Sequence, residues 1–257
     1  IECPAMTDTV LYHCSGHVAR LVLNKPDKHN SLGEAELLAL QGYLDAMAAD
    51  PEIRVVVVTG AGDQTFCAGA ALNQLGAGQI SGDLFQSTTD QLAALAVPTI
   101  CALNGSVFGG GVELALSCDF RVGVRGTRLR VPAAQLGLCY PLSGMNRFVE
   151  RLGVNVAKRI LVGAETFDDQ GMQSIGFLDQ VVERESLMAT VDERASTIAA
   201  LAPLAVKAMK AILQQAAAGE IDRELAERLA RDCLDSEDLQ EGFAAQREKR
   251  SPDFKGC

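Results

Sequence analysis

Asn104-Gly105-Ser106-Val107-Phe108-Gly109-Gly110-Gly111-Val112-Glu113-Leu114 is the stretch on which the fold class turns. It follows the uncharged apolar run Thr99-Ile100-Cys101-Ala102-Leu103, which has the composition of a buried strand. The run Gly109-Gly110-Gly111 within it reads as a turn, and residues 112–117 as the opening of a helix. In α/β proteins the carboxyl ends of buried strands are where ligands sit. Glycine there lets the backbone come close to a ligand, and the helix start offers free N–H groups. An oxyanion at that point meets the positive end of a helix dipole. Glu113 lies three residues after Gly110, so on a helix the two share a side. A carboxylate beside an oxyanion-binding amide suits enolate chemistry. Spacing alone leaves a second possibility open, that the glycines only permit tight strand–helix packing and Glu113 is solvated.

A similar cluster, Phe66-Cys67-Ala68-Gly69-Ala70-Ala71-Leu72, lies earlier, beyond the continuous β-branched run Val55-Val56-Val57-Val58. Such a run marks a strand covered on both faces. Residues 60–69 between them read as a Gly-rich loop. Working outward, residues 10–13 and 17–23 around Ser15-Gly16 read as a hairpin. Leu37, Leu40, Leu44 and Met47 fall at helical spacing within residues 34–49. Residues 83–95 continue as a helix, and 121–124, 129–131 and 178–182 as short strands. Strand and helix thus alternate over the first two-thirds, which calls for parallel strands with helical crossovers. Amphipathic helices follow at about 184–201, 203–217, 223–234 and 236–249, with Pro203 suited to a first turn and Gly219 to a stop. The expected division is an α/β core over residues 1–200 and a helical region over 201–257.

Composition narrows the function. The 257 residues are 48% hydrophobic and 22% charged, which excludes intrinsic disorder. With 23 Lys+Arg against 33 Asp+Glu the net charge is −10, which argues against a nucleic-acid or anionic-membrane binder. The eight cysteines are scattered, with no C-x-x-C pair and no secretory leader before them, so the expected compartment is the reducing cytosol. His13 and His17 flank a turn rather than share a helix face, and no metal is expected. Residues 91–112 carry no charge and are long enough for a membrane span, but Pro98, Asn104, Ser106 and the glycines make them a core segment. Gly60-Ala61-Gly62 lacks the third glycine of a dinucleotide fingerprint, and neither a phosphate loop nor a G-x-S-x-G elbow is present. Asp45, Asp50, Asp168-Asp169 and the pair Glu220 and Asp222 suit helix caps or solvated faces.

Taken in order, these segments resemble the crotonase (enoyl-CoA hydratase/isomerase) superfamily. The resemblance runs from Lys25-Pro26-Asp27-Lys28-His29-Asn30-Ser31-Leu32 through both glycine clusters and Ser117-Cys118-Asp119. It ends in Asp235-Ser236-Glu237-Asp238-Leu239-Gln240-Glu241-Gly242-Phe243 and Glu248-Lys249-Arg250-Ser251-Pro252-Asp253-Phe254. It implies an α/β spiral of ββα units, a C-terminal helical trimerisation region and a homotrimer or a hexamer built from two trimers. It also implies a coenzyme A thioester substrate, with coenzyme A entering as part of the substrate and no further cofactor. By position, the thioester oxygen falls to the amides of Ala70 and Gly110. Two donors aimed at an enolate oxygen stabilise it, and losing one such donor costs about 3–4 kcal/mol. Ala68, Ala71, Leu72 and Gly109 flank those amides as substrate-binding residues. Among the basic residues Lys25, Lys28, Arg247, Lys249, Arg250 and Lys255, the resemblance points to Lys28 and Lys249 for the coenzyme's phosphates.

The departures from the family pattern matter as much. Family hydratases use two carboxylates, and Glu113 matches the one that positions water. The second falls at Ala133, which has no proton to exchange, and Ala71 replaces a common aspartate. Tyr140 stands where many hydratases have a proline, and here the chain is similar to methylmalonyl-CoA decarboxylase, although that enzyme has histidine at Ala70 and threonine at Val131. Tyr140 is therefore the candidate auxiliary donor beside Glu113. The expected activity is a slow, enoyl-CoA hydratase-like reaction through a thioester enolate. The alternatives are a malonyl- or methylmalonyl-CoA-type decarboxylase, an enoyl-CoA isomerase, or an acyl-CoA-binding homologue without catalysis.

Overall fold

The computed structural model describes residues 8–71, 74 and 81–257. The hairpin β1 (Val10–Ser15) and β2 (Val18–Leu23) leads into α1 (Glu34–Ala49), whose Leu37, Leu40, Leu44 and Met47 are buried as their spacing predicts. In β3 (Val55–Gly60) every residue is buried, and alternate valines enter two different cores. Val56 and Val58 join the main core, and Val57 joins Val55 in a smaller one beneath α6 (Leu187–Ala199). That alternation is how a two-sided strand buries an unbroken apolar run.

Between β3 and α6 the chain forms β4 (Thr65–Cys67), α2 (Gly82–Ala94), β5 (Thr99–Leu103), β6 (Ser106–Phe108) and α3 (Gly110–Leu116). Then come β7 (Phe120–Val124), β8 (Arg128–Arg130), α4 (Leu142–Leu161), β9 (Phe167–Asp168), α5 (Asp169–Ser174) and β10 (Gln180–Val182). The main sheet has the order β1-β2-β3-β5-β7-β10, parallel except for the opening hairpin. A second sheet, β4-β6-β8-β9, stands beside it.

That second sheet corrects the loop expected over residues 60–69, which contains β4. Its strands are two or three residues long, too short for an alternating pattern to register. Residues 91–112 prove to be divided among the end of α2, β5, β6 and the start of α3. Among the described residues no single helix is long and apolar enough to cross a membrane. Asp168 and Asp222 cap α5 and the later helix α8 (Arg223–Leu234), accepting from the Gly171 and Leu225 amides at 2.7 and 3.0 Å.

The chain closes with α7 (Pro203–Ala218), α8 and α9 (Glu237–Glu248). α7 is tied to the sheet by the buried Lys210, which donates to the Val97 carbonyl at 2.8 Å and pairs with Asp119 at 2.6 Å. Asp119 in turn accepts from the Thr99 amide and hydroxyl at the first residue of β5.

Candidate active site

The two glycine clusters meet at their backbones. Gly69 has φ +84°, and a Cβ on it would stand 2.4 Å from the Gly110 nitrogen, so only glycine lets the first cluster lie against the second. At Gly111 a Cβ would be 2.3 Å from the Cys67 carbonyl oxygen, a contact no side chain tolerates. The first cluster is held by β-type bonds on either side of Ala70. Leu32 N–H donates to the Gly69 carbonyl at 2.9 Å, and Ala71 N–H donates to the Leu32 carbonyl at 2.8 Å. Those bonds use the neighbours and leave the Ala70 amide without a partner among the described residues. Gly110 opens α3, two residues earlier than the sequence pattern suggested, so its amide is one of the unclaimed donors of a helix start. The ring of Phe85, from α2, packs against the Gly110 Cα, where a Cβ would fall 2.5 Å from Cζ.

Glu113 is not solvated: it is 2% exposed. Arg147 Nη1, from α4, donates to its Oε1 at 3.0 Å. The Thr89 hydroxyl of α2 lies 3.1 Å from the same oxygen and 2.9 Å from the Gln86 carbonyl. Its single hydrogen can go to either, and an ionised carboxylate is the stronger acceptor. Arg147 Nη2 donates to Asp90 at 2.5 Å, so the guanidinium spans two carboxylates. Burial pushes the Glu113 carboxyl above its ordinary value, against the opposing pull of Arg147.

The other oxygen, Oε2, faces Gly144 and Tyr140. A Cβ on Gly144 would fall 2.9 Å from Oε2 and 3.0 Å from Tyr140 Cδ1, so the missing side chain lets the aromatic ring and the carboxylate share this space. Tyr140 stands edge-on to Phe148, with ring centroids 5.7 Å apart. Its hydroxyl is buried and finds no partner among the described residues. Burial, and then the Glu113 charge, raise the phenol well above its usual range, so it is a neutral donor. Ala133 is buried in the short 3-10 turn Ala133–Leu136.

The structure therefore brings Ala68, Gly69, Ala70, Gly109 and Gly110 together on one side and Glu113 with Tyr140 on the other. The Ala68 amide is engaged with the His29 carbonyl at 3.0 Å, and Leu72 lies outside the described residues. Lys28 and Lys249 are exposed, the latter at the end of α9. Lys25 is committed elsewhere, to Glu36 at 2.9 Å, and Arg250 is held by Glu241 and Glu248. Sequence reading missed Phe85, Thr89, Asp90, Gly144 and Arg147, which touch the site from α2 and α4 and form no local motif with Glu113. Among the described residues no group of three or more His, Cys, Asp or Glu side chains is placed to hold a metal ion.

Comparison with known proteins shows the family. The model of the family described as enoyl-CoA hydratase/isomerase matches residues 13–257. A putative enoyl-CoA hydratase/isomerase, YngF, of Bacillus subtilis is 32% identical, over 98% of this chain and 100% of its own. The short-chain-enoyl-CoA hydratase of Clostridium acetobutylicum is 31% identical, over 95% of this chain and 96% of its own. The crystal structure of an enoyl-CoA hydratase from Bacillus anthracis superposes with a TM-score of 0.91 at 29% identity, covering 97% of this chain and 100% of that one. The chain belongs to the enoyl-CoA hydratase/isomerase family.

Proposed function

We propose that the protein hydrates a 2-enoyl-CoA thioester through an oxyanion-stabilised enolate, with Glu113 as its acid–base group. The observation that carries this reading is the buried Glu113, with one oxygen tied by Arg147 and the other turned toward Tyr140, one helical turn from the unclaimed Gly110 amide. The Ala70 and Gly110 amides hold the thioester oxygen. Water adds at the β-carbon, gives a proton to Glu113, and the α-carbon receives a proton as the enolate collapses. Tyr140 donates a hydrogen bond beside the reacting carbons. The short-chain-enoyl-CoA hydratase name of the clostridial relative supports hydration over the decarboxylation and isomerisation alternatives.

Coenzyme A enters as part of the substrate, and proton transfer with oxyanion stabilisation requires no further cofactor. Ala68, Ala71 and Gly109 line its approach, and the exposed Lys28 and Lys249 meet its phosphates. The assembly is a homotrimer or a pair of trimers, joined through the helical region 201–257. Cysteines buried as thiols at Cys67, Cys101 and Cys118 favour a reducing, cytoplasmic setting.

The test is hydration of crotonyl-CoA, followed by loss of the conjugated thioester absorbance. Glu113→Gln removes the proton carrier and is expected to lower the rate by about 10²–10⁴-fold, the span of general acid–base catalysis. Hydration that persists unchanged in this variant removes Glu113 from the mechanism. A wild-type protein that binds acyl-CoA without turnover removes the hydratase reading.

A further inference from the structure

The family's two-carboxylate scheme is short of one member here, since Ala133 stands at the second position. The remaining carboxylate is held in an unequal way. Among the described residues, both polar side-chain contacts of Glu113 fall on Oε1, from Thr89 at 3.1 Å and Arg147 at 3.0 Å. Oε2 looks toward Gly144 and Tyr140 instead. Arg147 is itself fixed, because its other nitrogen binds Asp90 and only 9% of its side chain is exposed. The α2–α4 contact thus works as a clamp on one oxygen of the catalytic group.

We propose that Arg147, braced by Asp90, is a positioning residue that immobilises Oε1 of Glu113 and leaves Oε2 as the single oxygen through which protons pass. The proposal rests on the hydratase reading for its chemistry. In that cycle the water oxygen bonds to the β-carbon while one of its protons moves to Oε2. The double-bond electrons shift to the thioester as an enolate. The enolate then takes the proton from Oε2 at its α-carbon, so that H and OH of one water have been added and Glu113 is again a carboxylate. One oxygen makes both transfers, which requires that it not rotate away between them.

The charge arrangement gives the clamp a signature. Among the described residues, the titratable and charged groups that face Glu113 are Arg147 from α4, Asp90 from α2 and Tyr140 from the segment before α4, with the Cys67 thiol at the end of β4 acting on Tyr140. Burial pushes that thiol up to about 12, and Tyr140 well above its usual range, so both are neutral near pH 7. Arg147 favours the ionised carboxylate and Asp90 opposes it. Removing each should therefore move Glu113 in opposite directions. Asp90 is 46% exposed and opens onto a cavity of about 740 Å³ between α2, α4 and α7, so solvent screens it and its effect is the smaller.

The experiment titrates the Glu113 carboxyl by carbon-13 NMR, its signal assigned by loss in Glu113→Gln, alongside the pH profile of crotonyl-CoA hydration. Arg147→Gln is expected to raise the Glu113 midpoint by about one unit or more, the size of an opposite charge at contact distance. Asp90→Asn is expected to lower it by less, and Arg147→Lys to restore most of the wild-type value. kcat should fall by roughly 10²-fold in Arg147→Gln, as for an approximately 1 Å misplacement, with KM little changed because the Arg147 guanidinium is taken up by Glu113 and Asp90. Midpoints that stay in place, or move the same way in Arg147→Gln and Asp90→Asn, overturn the proposal. The titration needs no turnover. Opposite shifts without hydration in the wild type would therefore uphold the clamp and sink the hydratase reading, whereas hydration with unmoved midpoints would sink the clamp alone.

Discussion

Tyr140 separates catalysis from stability at a single atom. Its hydroxyl makes no hydrogen bond to the described protein, so Tyr140→Phe breaks none while keeping the edge-on packing on Phe148. Stability should stay within about 1 kcal/mol, a shift of roughly 2–4 °C in Tm for a domain of this size. If the phenol donates to the reacting centre, kcat for hydration falls by about 10²-fold, the lower end of what a placed proton donor supplies. Thermal melts and initial rates on one preparation check both halves; unchanged rates would make Tyr140 a packing residue. That Glu113 and Gly110 share one side was legible from spacing, because a helix sets residues three apart on one side, but spacing alone left Glu113 free to be solvated. Arg147 was not, since nothing local links α4 to a carboxylate in α3, and the partnership exists only once α2 and α4 have packed. The burial of Glu113 was equally hidden, for a helix of seven residues has no amphipathic pattern long enough to show which face points inward.

Elements as short as α3 are not stable by propensity, and their neighbours hold them in place. The longer helices and the main-sheet strands were legible because their apolar runs or spacings repeat, as in α1 and β3. The small sheet β4-β6-β8-β9 was not, its order coming from pairing partners distant in sequence. The same dependence on distant partners governs α7, whose Lys210 reaches across to Asp119 and the Val97 carbonyl. Burial lowers the Lys210 ammonium from its ordinary value and Asp119 works against that shift. Lys210→Met keeps the apolar stem but leaves the half-buried Asp119 with one cation fewer. It should cost about 3 kcal/mol, the low end for breaking a buried pair, because the Thr99 bonds and Arg151 at 3.8 Å remain. Lys210→Met combined with Asp119→Asn removes both charges and should recover part of that loss. Denaturant unfolding of the three proteins checks the pair, and strictly additive losses would show that the two charges are not coupled.

Across the whole molecule, the fold leaves an apolar surface that one chain does not cover. Met209 and Leu213 on α7 are 57% and 69% exposed, and Leu201 just before it is 47% exposed. All three border the cavity of about 740 Å³ between α2, α4 and α7. Single exposed hydrophobics are ordinary, but a contiguous set beside a concave surface is the usual mark of an interface. Closed symmetric assembly is the economical way for identical chains to bury such a surface, and a threefold ring fits the proposed trimer. Sedimentation velocity at micromolar concentration should therefore give three or six times the 27.2 kDa chain mass. Met209→Glu with Leu213→Glu places two like charges where the partner's apolar surface would meet them, and should shift the distribution toward monomer. These side chains face outward, so the secondary structure by circular dichroism should not change. If the unmodified protein sediments as a monomer at that concentration, the exposed face of α7 is not a subunit interface, and the helical region serves only to close its own core.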